Sequence, residues 1–227
     1  MTEAELDELL EDCPILYHMA ERGGWPSIQQ HGLLSTSSLL DLYEIVGQPR
    51  VQIEATRRGA SVQIDHQRHG SAVVRDQLPM DDNGLTRCLQ DGLAPADWYR
   101  LLNARVFFWL TSERLGRLLK AGAYADSSHD VLELHSRPVV EGYRNNITLC
   151  PINSGCTKPF PHDRGLATFR SIEDYPYADW RKKRKRGERV VELSVMGGIP
   201  DITTYVKRAL VMRGDSIEEI LFDTART

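Results

Sequence analysis

No run in this chain approaches the ~18 consecutive apolar residues of a membrane-spanning helix, which argues against an integral membrane protein. The opening "MTEAELDELLEDCPIL" is acidic and lacks the basic stretch and apolar core of a secretory leader, so a cytoplasmic setting is expected. Cysteine is scarce. Cys13, Cys88, Cys150 and Cys156 lie too far apart for a disulfide framework, and the paired C-x-x-C spacings of a zinc site are missing. Four free thiols and no metal are the expectation. No glycine fingerprint follows the first strand-like segment, so a Rossmann dinucleotide site has little support. Positive charge is short as well: the formal net charge is −4, and setting aside the six bases at 181–186 leaves the rest at −10. That balance argues against a broad face for duplex DNA, while a local anchor for phosphate or a short single strand remains compatible.

What is present describes an ordinary globular domain. The chain has 227 residues, 41% hydrophobic and 26% charged, enough to bury one sizeable core, so one domain over 1–227 is expected. "EAELDELLE" repeats leucine at helical spacing with acids toward its N-terminal end. "PILYHMA" reads as a short strand with Leu16 and His18 on one side and Ile15, Tyr17 and Met19 on the other. "GGWPSIQQHGLLS" gives a helix entered at proline and stopped at Gly32, with "STSS" as an exposed polar turn.

Residues 39–59 read mostly as helix. "SVQI" and "AVVR" are strand candidates around a histidine-bearing turn. "PADWYRLLNAR" is a helix and "RVFFWLT" a core strand. "SERLGRLLKAG" is a helix capped by Ser112 and stopped by Gly122. "DVLELHS", "VVELSVM" and "EILF" add strands, with a helix candidate around "DITTYVKRAL". Residues 138–189 are the least regular part, and a segment of that length is usually functional or mobile. Short strands among short helices indicate an α+β fold with a split, mixed or antiparallel sheet.

A few positions carry chemistry. Strand alternation in "RVVELSVM" sets Glu192, Ser194 and Met196 opposite Val191, Leu193 and Val195, so Glu192 faces solvent or a cleft. His18 sits within an early strand, where a histidine is often a satisfied core residue. The rings of Phe107, Phe108 and Trp109 cannot all face one way, so one side of the sheet offers a ring to a ligand. Arg57 and Arg58 read first as a solvated helix end. "NSG", 153–155, and "RG", 164–165, read as turn formers.

Taken in order, "LYHMAERGGWPSIQQHGLLS", "IEATRRG", "RVFFWLTSERLGRLL" and "RVVELSVMGGIPDITTYV" resemble the ADP-ribosyltransferase superfamily. Within it they resemble the DarT-like DNA ADP-ribosyltransferase toxins and related bacterial proteins. The likeness spans most of the chain. It implies that fold, with a long acceptor-recognition loop, and NAD as the ADP-ribose donor. It implies transfer to a nucleic-acid base or nucleotide, with single-stranded DNA favoured over duplex, and a cognate antitoxin as a partner.

In that scheme Glu192 stabilises the electron-poor ribose, and an arginine of the Arg57–Arg58 pair meets the diphosphate or orders Glu192. His18 and Met19 hold the donor ribose side, and Phe108 or Trp109 stacks near nicotinamide. The acceptor side falls to Asn153, Tyr177, Trp180, Arg181, Lys182, Lys183 and Arg184, whose rings and charges suit a single strand. The alternatives are a protein ADP-ribosyltransferase, an RNA 2′-phosphotransferase-like enzyme, or an inactive nucleic-acid-binding module of the same fold.

Overall fold

The computed structural model describes residues 1–226. The chain opens with helix α1 (Glu3–Asp12) and strand β1 (Ile15–Ala20), then α2 (Trp25–His31), β2 (Leu33–Leu34), α3 (Thr36–Leu42) and α4 (Gly47–Glu54). A hairpin follows, β3 (Val62–His66) and β4 (Gly70–Val74), then α5 (Asp82–Cys88), α6 (Pro95–Asn103), β5 (Arg105–Trp109) and α7 (Ser112–Leu119). Next come β6 (His129–His135), α8 (Ser136–Tyr143), β7 (Ile147–Cys150), β8 (Arg170–Ser171) and α9 (Tyr177–Lys183). The described chain closes with β9 (Glu192–Met196), β10 (Gly198–Ile199), β11 (Val206–Arg213) and β12 (Ser216–Asp223).

Eight strands form one sheet in the order β12-β11-β6-β1-β5-β9-β7-β8, and every neighbouring pair is antiparallel. The fold class is therefore α+β with a mostly antiparallel sheet. On one sheet face Leu16, Phe108, Leu132, Leu193, Val195 and Ala209 form the main core. The buried leucines of α1 (Leu6, Leu9 and Leu10) and Val139 and Val140 of α8 belong to the same cluster. The other face packs Met19 and Val131 against Leu115 and Leu119 of α7. Burying such side chains is the main favourable term, at roughly 25 cal/mol per Å² removed from water. Helix α1 starts cleanly because Thr2 and Glu5 form a reciprocal capping box.

Several expectations are corrected. "DITTYVKRAL" is a short 3-10 turn, Ile202–Thr204, followed by β11. The segment is extended because β6 and β12 both pair with it, and those ladders outweigh its local helical look. The "STSS" turn is instead the start of α3, where buried Ser35 accepts the Ser38 N–H at 3.1 Å. Thr111, not Ser112, caps α7, and the helix closes on Lys120 before Gly122 is reached. The region 138–189 is more regular than expected, since it holds most of α8, all of β7 and all of α9.

Candidate functional site

The large sheet is almost divided at its centre. Strands β1 and β5 share a single register pair, Tyr17 with Trp109, whereas β1 and β6 share six. A cleft of about 340 Å³ opens where β1 and β5 part, within the size range of small-molecule sites. Its walls come from both central strands, from α2 and the turn after it, from β4, and from residues 153–155.

Glu192 enters this cleft from β9. Its register partners are Trp109 on β5 and Cys150 on β7, so Tyr17, Trp109, Glu192 and Cys150 form one row across four strands. The carboxylate is buried, and both oxygens accept from the Ser154 N–H, at 3.2 and 3.1 Å. Burial pushes its pKa up to about 7, against the pull of the Ser154 hydrogen bonds and the Arg164 and Arg114 charges.

Strand alternation sends His18 to the opposite face from Tyr17, and hence away from the Glu192 row. The parting of β1 from β5 lets both reach one cleft. His18 crosses the gap, and its Nδ1 lies 2.9 Å from the Phe107 carbonyl of β5. A carbonyl only accepts, so Nδ1 carries the proton and the neutral ring keeps Nε2 as an acceptor. Burial holds the ring's pKa down at about 4, despite the Phe107 carbonyl, which favours the protonated form.

Arg57 and Arg58 separate cleanly. Arg58 is 7% exposed and lines the cleft, correcting the picture of a solvated helix end. It donates to the Arg75 carbonyl at 2.8 Å, the Asn103 Oδ1 at 2.9 Å and the Ile53 carbonyl, all neutral groups. Burial draws its pKa down to about 10, which leaves it charged at neutral pH. Arg57 instead donates to the Met80 carbonyl at 2.6 Å and the Leu78 carbonyl at 3.3 Å. Phe108 packs into the main core, with its ring 5.7 Å from that of His18, while half-buried Trp109 packs with the α7 cluster; both touch the cleft. Met19 is buried against α7 and Asn153 lines the cleft mouth beside Ser154.

A family model described as a family of unknown function, DUF7002, matches residues 14–206. The chain belongs to the DUF7002 family. No curated protein matches it. The matched span runs from the start of β1 to the start of β11, so it contains every wall of the cleft; α1 lies outside it.

The remaining expected residues of this DUF7002 chain lie away from the cleft lining. Tyr177 is 1% exposed, and its neighbour Tyr175 is buried in the same core, which corrects the picture of open stacking rings. Trp180 is partly buried, with Arg184 4.2 Å and Lys183 5.3 Å over its ring. The bases at 181–183 lie on α9, and several charges in the tract are paired. Arg181 and Arg189 pair with Glu8, Arg186 with Asp12 at 2.6 Å, and Lys182 with Asp179 at 3.1 Å. Arg184 donates to the Pro151 carbonyl at 2.8 Å.

Two site residues escaped the sequence reading, Ser154 and Arg164, because "NSG" and "RG" look like plain turns. A signal existed in "DRG": an arginine inside an irregular loop is a donor that carbonyls can collect around. Among the described residues there is no His, Cys, Asp and Glu group suited to a metal, and no helix long and apolar enough to cross a membrane.

Proposed function

We propose that this protein is an NAD-dependent ADP-ribosyltransferase of the ADP-ribosyltransferase fold, acting on a nucleic-acid base or nucleotide, with single-stranded DNA favoured. The observation that carries the reading is the shared cleft: a buried carboxylate from one half of a parted sheet and a neutral histidine from the other. The chemistry that such a pair serves is cleavage of the bond between ribose C1′ and nicotinamide. Nicotinamide leaves neutral with the bonding electrons, the acceptor atom forms the new bond to C1′, and the acceptor's proton passes to a base.

Each group has a physical reason for its part. Glu192, once ionised, interacts more strongly as positive charge grows on the ribose, which is differential stabilisation of the transition state. His18 offers Nε2 to a ribose hydroxyl while Nδ1–H stays on the Phe107 carbonyl. Arg58 is a buried cation with neutral partners, an arrangement that gains from an anion such as a diphosphate. Trp109 supplies an apolar ring beside Glu192.

The test is incubation with NAD labelled in the adenylate, alongside single-stranded oligonucleotides, free nucleotides and proteins. Nicotinamide release with label on an oligonucleotide or nucleotide supports the proposal. Label on protein alone replaces the acceptor, and no nicotinamide release with any acceptor removes the enzyme reading. The acid-paired basic tract gives the protein acceptor a specific reason to be included, because those charges are already engaged.

A further inference from the structure

Arg164 is the most buried arginine in the chain, at 1% exposure, and its contacts converge on a single segment. Its Nη1 donates to the Ser154 carbonyl at 2.8 Å, its Nη2 to the Cys156 carbonyl at 2.9 Å and its Nε to the His162 carbonyl at 3.0 Å. The guanidinium also lies 5.7 Å over the Trp98 ring, and the Trp98 indole donates to the same Ser154 carbonyl at 3.3 Å. The backbone carbonyls of three residues in one loop are thus gathered by one planar fork, a task a lysine point charge performs poorly.

The residue that Arg164 holds by its carbonyl is the one whose N–H meets both oxygens of Glu192. We infer that Arg164 is the positioning residue of this site, fixing Ser154 so that its N–H aims the Glu192 carboxylate into the cleft. The inference rests on the transferase reading for its effect on rate, but its geometry stands apart from that reading. A second, electrostatic link runs the same way. The Arg164 charge favours the ionised form of Glu192, offsetting part of the cost of burial. The loop 156–163 is tied to the same guanidinium through the Cys156 and His162 carbonyls, with Thr157 anchored separately to Pro79 and Asp81.

Two variants separate the geometric from the electrostatic part. Arg164→Lys keeps the charge and loses the fork; Arg164→Gln loses the charge. The readouts are the Glu192 carboxyl titration by ¹³C NMR, the pH response of the Ser154 amide shift, and nicotinamide release. In Arg164→Gln the Glu192 midpoint moves upward by about half a unit or more, as loss of a nearby positive charge requires. In Arg164→Lys the midpoint stays closer to that of the parent, while the Ser154 amide response shrinks by about half and kcat falls about tenfold with a smaller change in KM.

An unchanged Glu192 midpoint in Arg164→Gln together with an unchanged Ser154 response in Arg164→Lys overturns the inference. If Arg164→Gln does not fold, the Lys variant decides alone: a Ser154 response equal to the parent's overturns it, and a reduced one sustains it. The titrations need no NAD. Absence of nicotinamide release from the parent protein would remove the transferase reading, and the NMR result would still decide the role of Arg164.

Discussion

At the scale of single residues, the informative feature is a pair of titratable groups pushed in opposite directions by burial. His18 is held neutral down to about pH 4, and Glu192 ionises only around pH 7. If the ionised carboxylate does the work, kcat/KM rises with pH through about 7 and His18 adds no limb between pH 5 and 8. Measuring kcat/KM from pH 5 to 9 checks this, because that ratio reports the groups of the free enzyme; a profile flat through pH 7 removes Glu192 from the chemistry. Glu192→Gln is expected to lower kcat by about 10²–10³, the range for losing one preorganised electrostatic group.

The same shift is a statement about stability. Glu192 has a folded pKa raised above its ordinary 4.5, so its contribution is fully present below pH 4.5 and is lost as pH rises through 7. Glu192→Gln removes that loss. Urea unfolding at pH 5 and pH 8 should show the variant losing less stability across the interval than the parent, by on the order of 2–3 kcal/mol. Equal losses in both proteins would mean that the carboxylate is not buried as described.

At the scale of elements, the cleft depends on how β10 seats against β2. Gly198 has φ +108°, and a Cβ there would lie 2.3 Å from the Leu33 carbonyl oxygen; at Gly32, φ +88°, it would lie 2.5 Å from Pro200 Cα. Both obstacles are backbone, so neither can swing aside. Gly70, at φ +70° and the first residue of β4, has open space around the same position. Gly198→Ala should therefore cost about 2–3 kcal/mol and Gly70→Ala only about 1, the second reporting backbone strain alone. Thermal melts of the two variants check the difference, and equal costs would show that β10 and β2 are not in close contact.

How much of this was legible follows element by element. Strands with strong alternation or dense aromatics, β1, β5, β6 and β9, were readable, because side-chain period and burial point the same way there. Glu192 and His18 were readable as candidates for the same reason. Strand β11 was not, since its extended state comes from two neighbours that no local window contains. Nor was the choice between Arg57 and Arg58, which turns on which guanidinium meets Asn103 from α6, 45 residues on. Tyr177 looked exposed, and the basic tract looked unpaired because the acids that meet it, Glu8 and Asp12, are more than 160 residues earlier.

At the scale of the whole molecule, that last pairing bears on the proposed nucleic-acid acceptor. Helix α1 lays Glu8 and Asp12 against a tract that would otherwise carry most of the chain's concentrated positive charge. The pairs differ in kind. Arg189 has a side chain only 8% exposed, so removing Glu8 would strand a buried charge and cost stability. Arg186 is 64% exposed while Asp12 is 9% exposed, so neutralising Asp12 strands no buried charge and adds one free base to the surface.

Asp12→Asn is therefore the clean probe of nucleic-acid binding. If α9 and the residues after it grip a single strand, the variant binds an oligo-dT probe several-fold more tightly at low salt. Its plot of log affinity against log salt steepens by roughly 0.7, the increment for one more phosphate contact on a single strand. Fluorescence anisotropy over 50–300 mM salt measures both quantities. Binding that is unchanged, or absent from parent and variant alike, would leave the tract a set of internal ion pairs that fasten α1 to the domain, and would move the search for the acceptor to the cleft mouth at Asn153–Gly155.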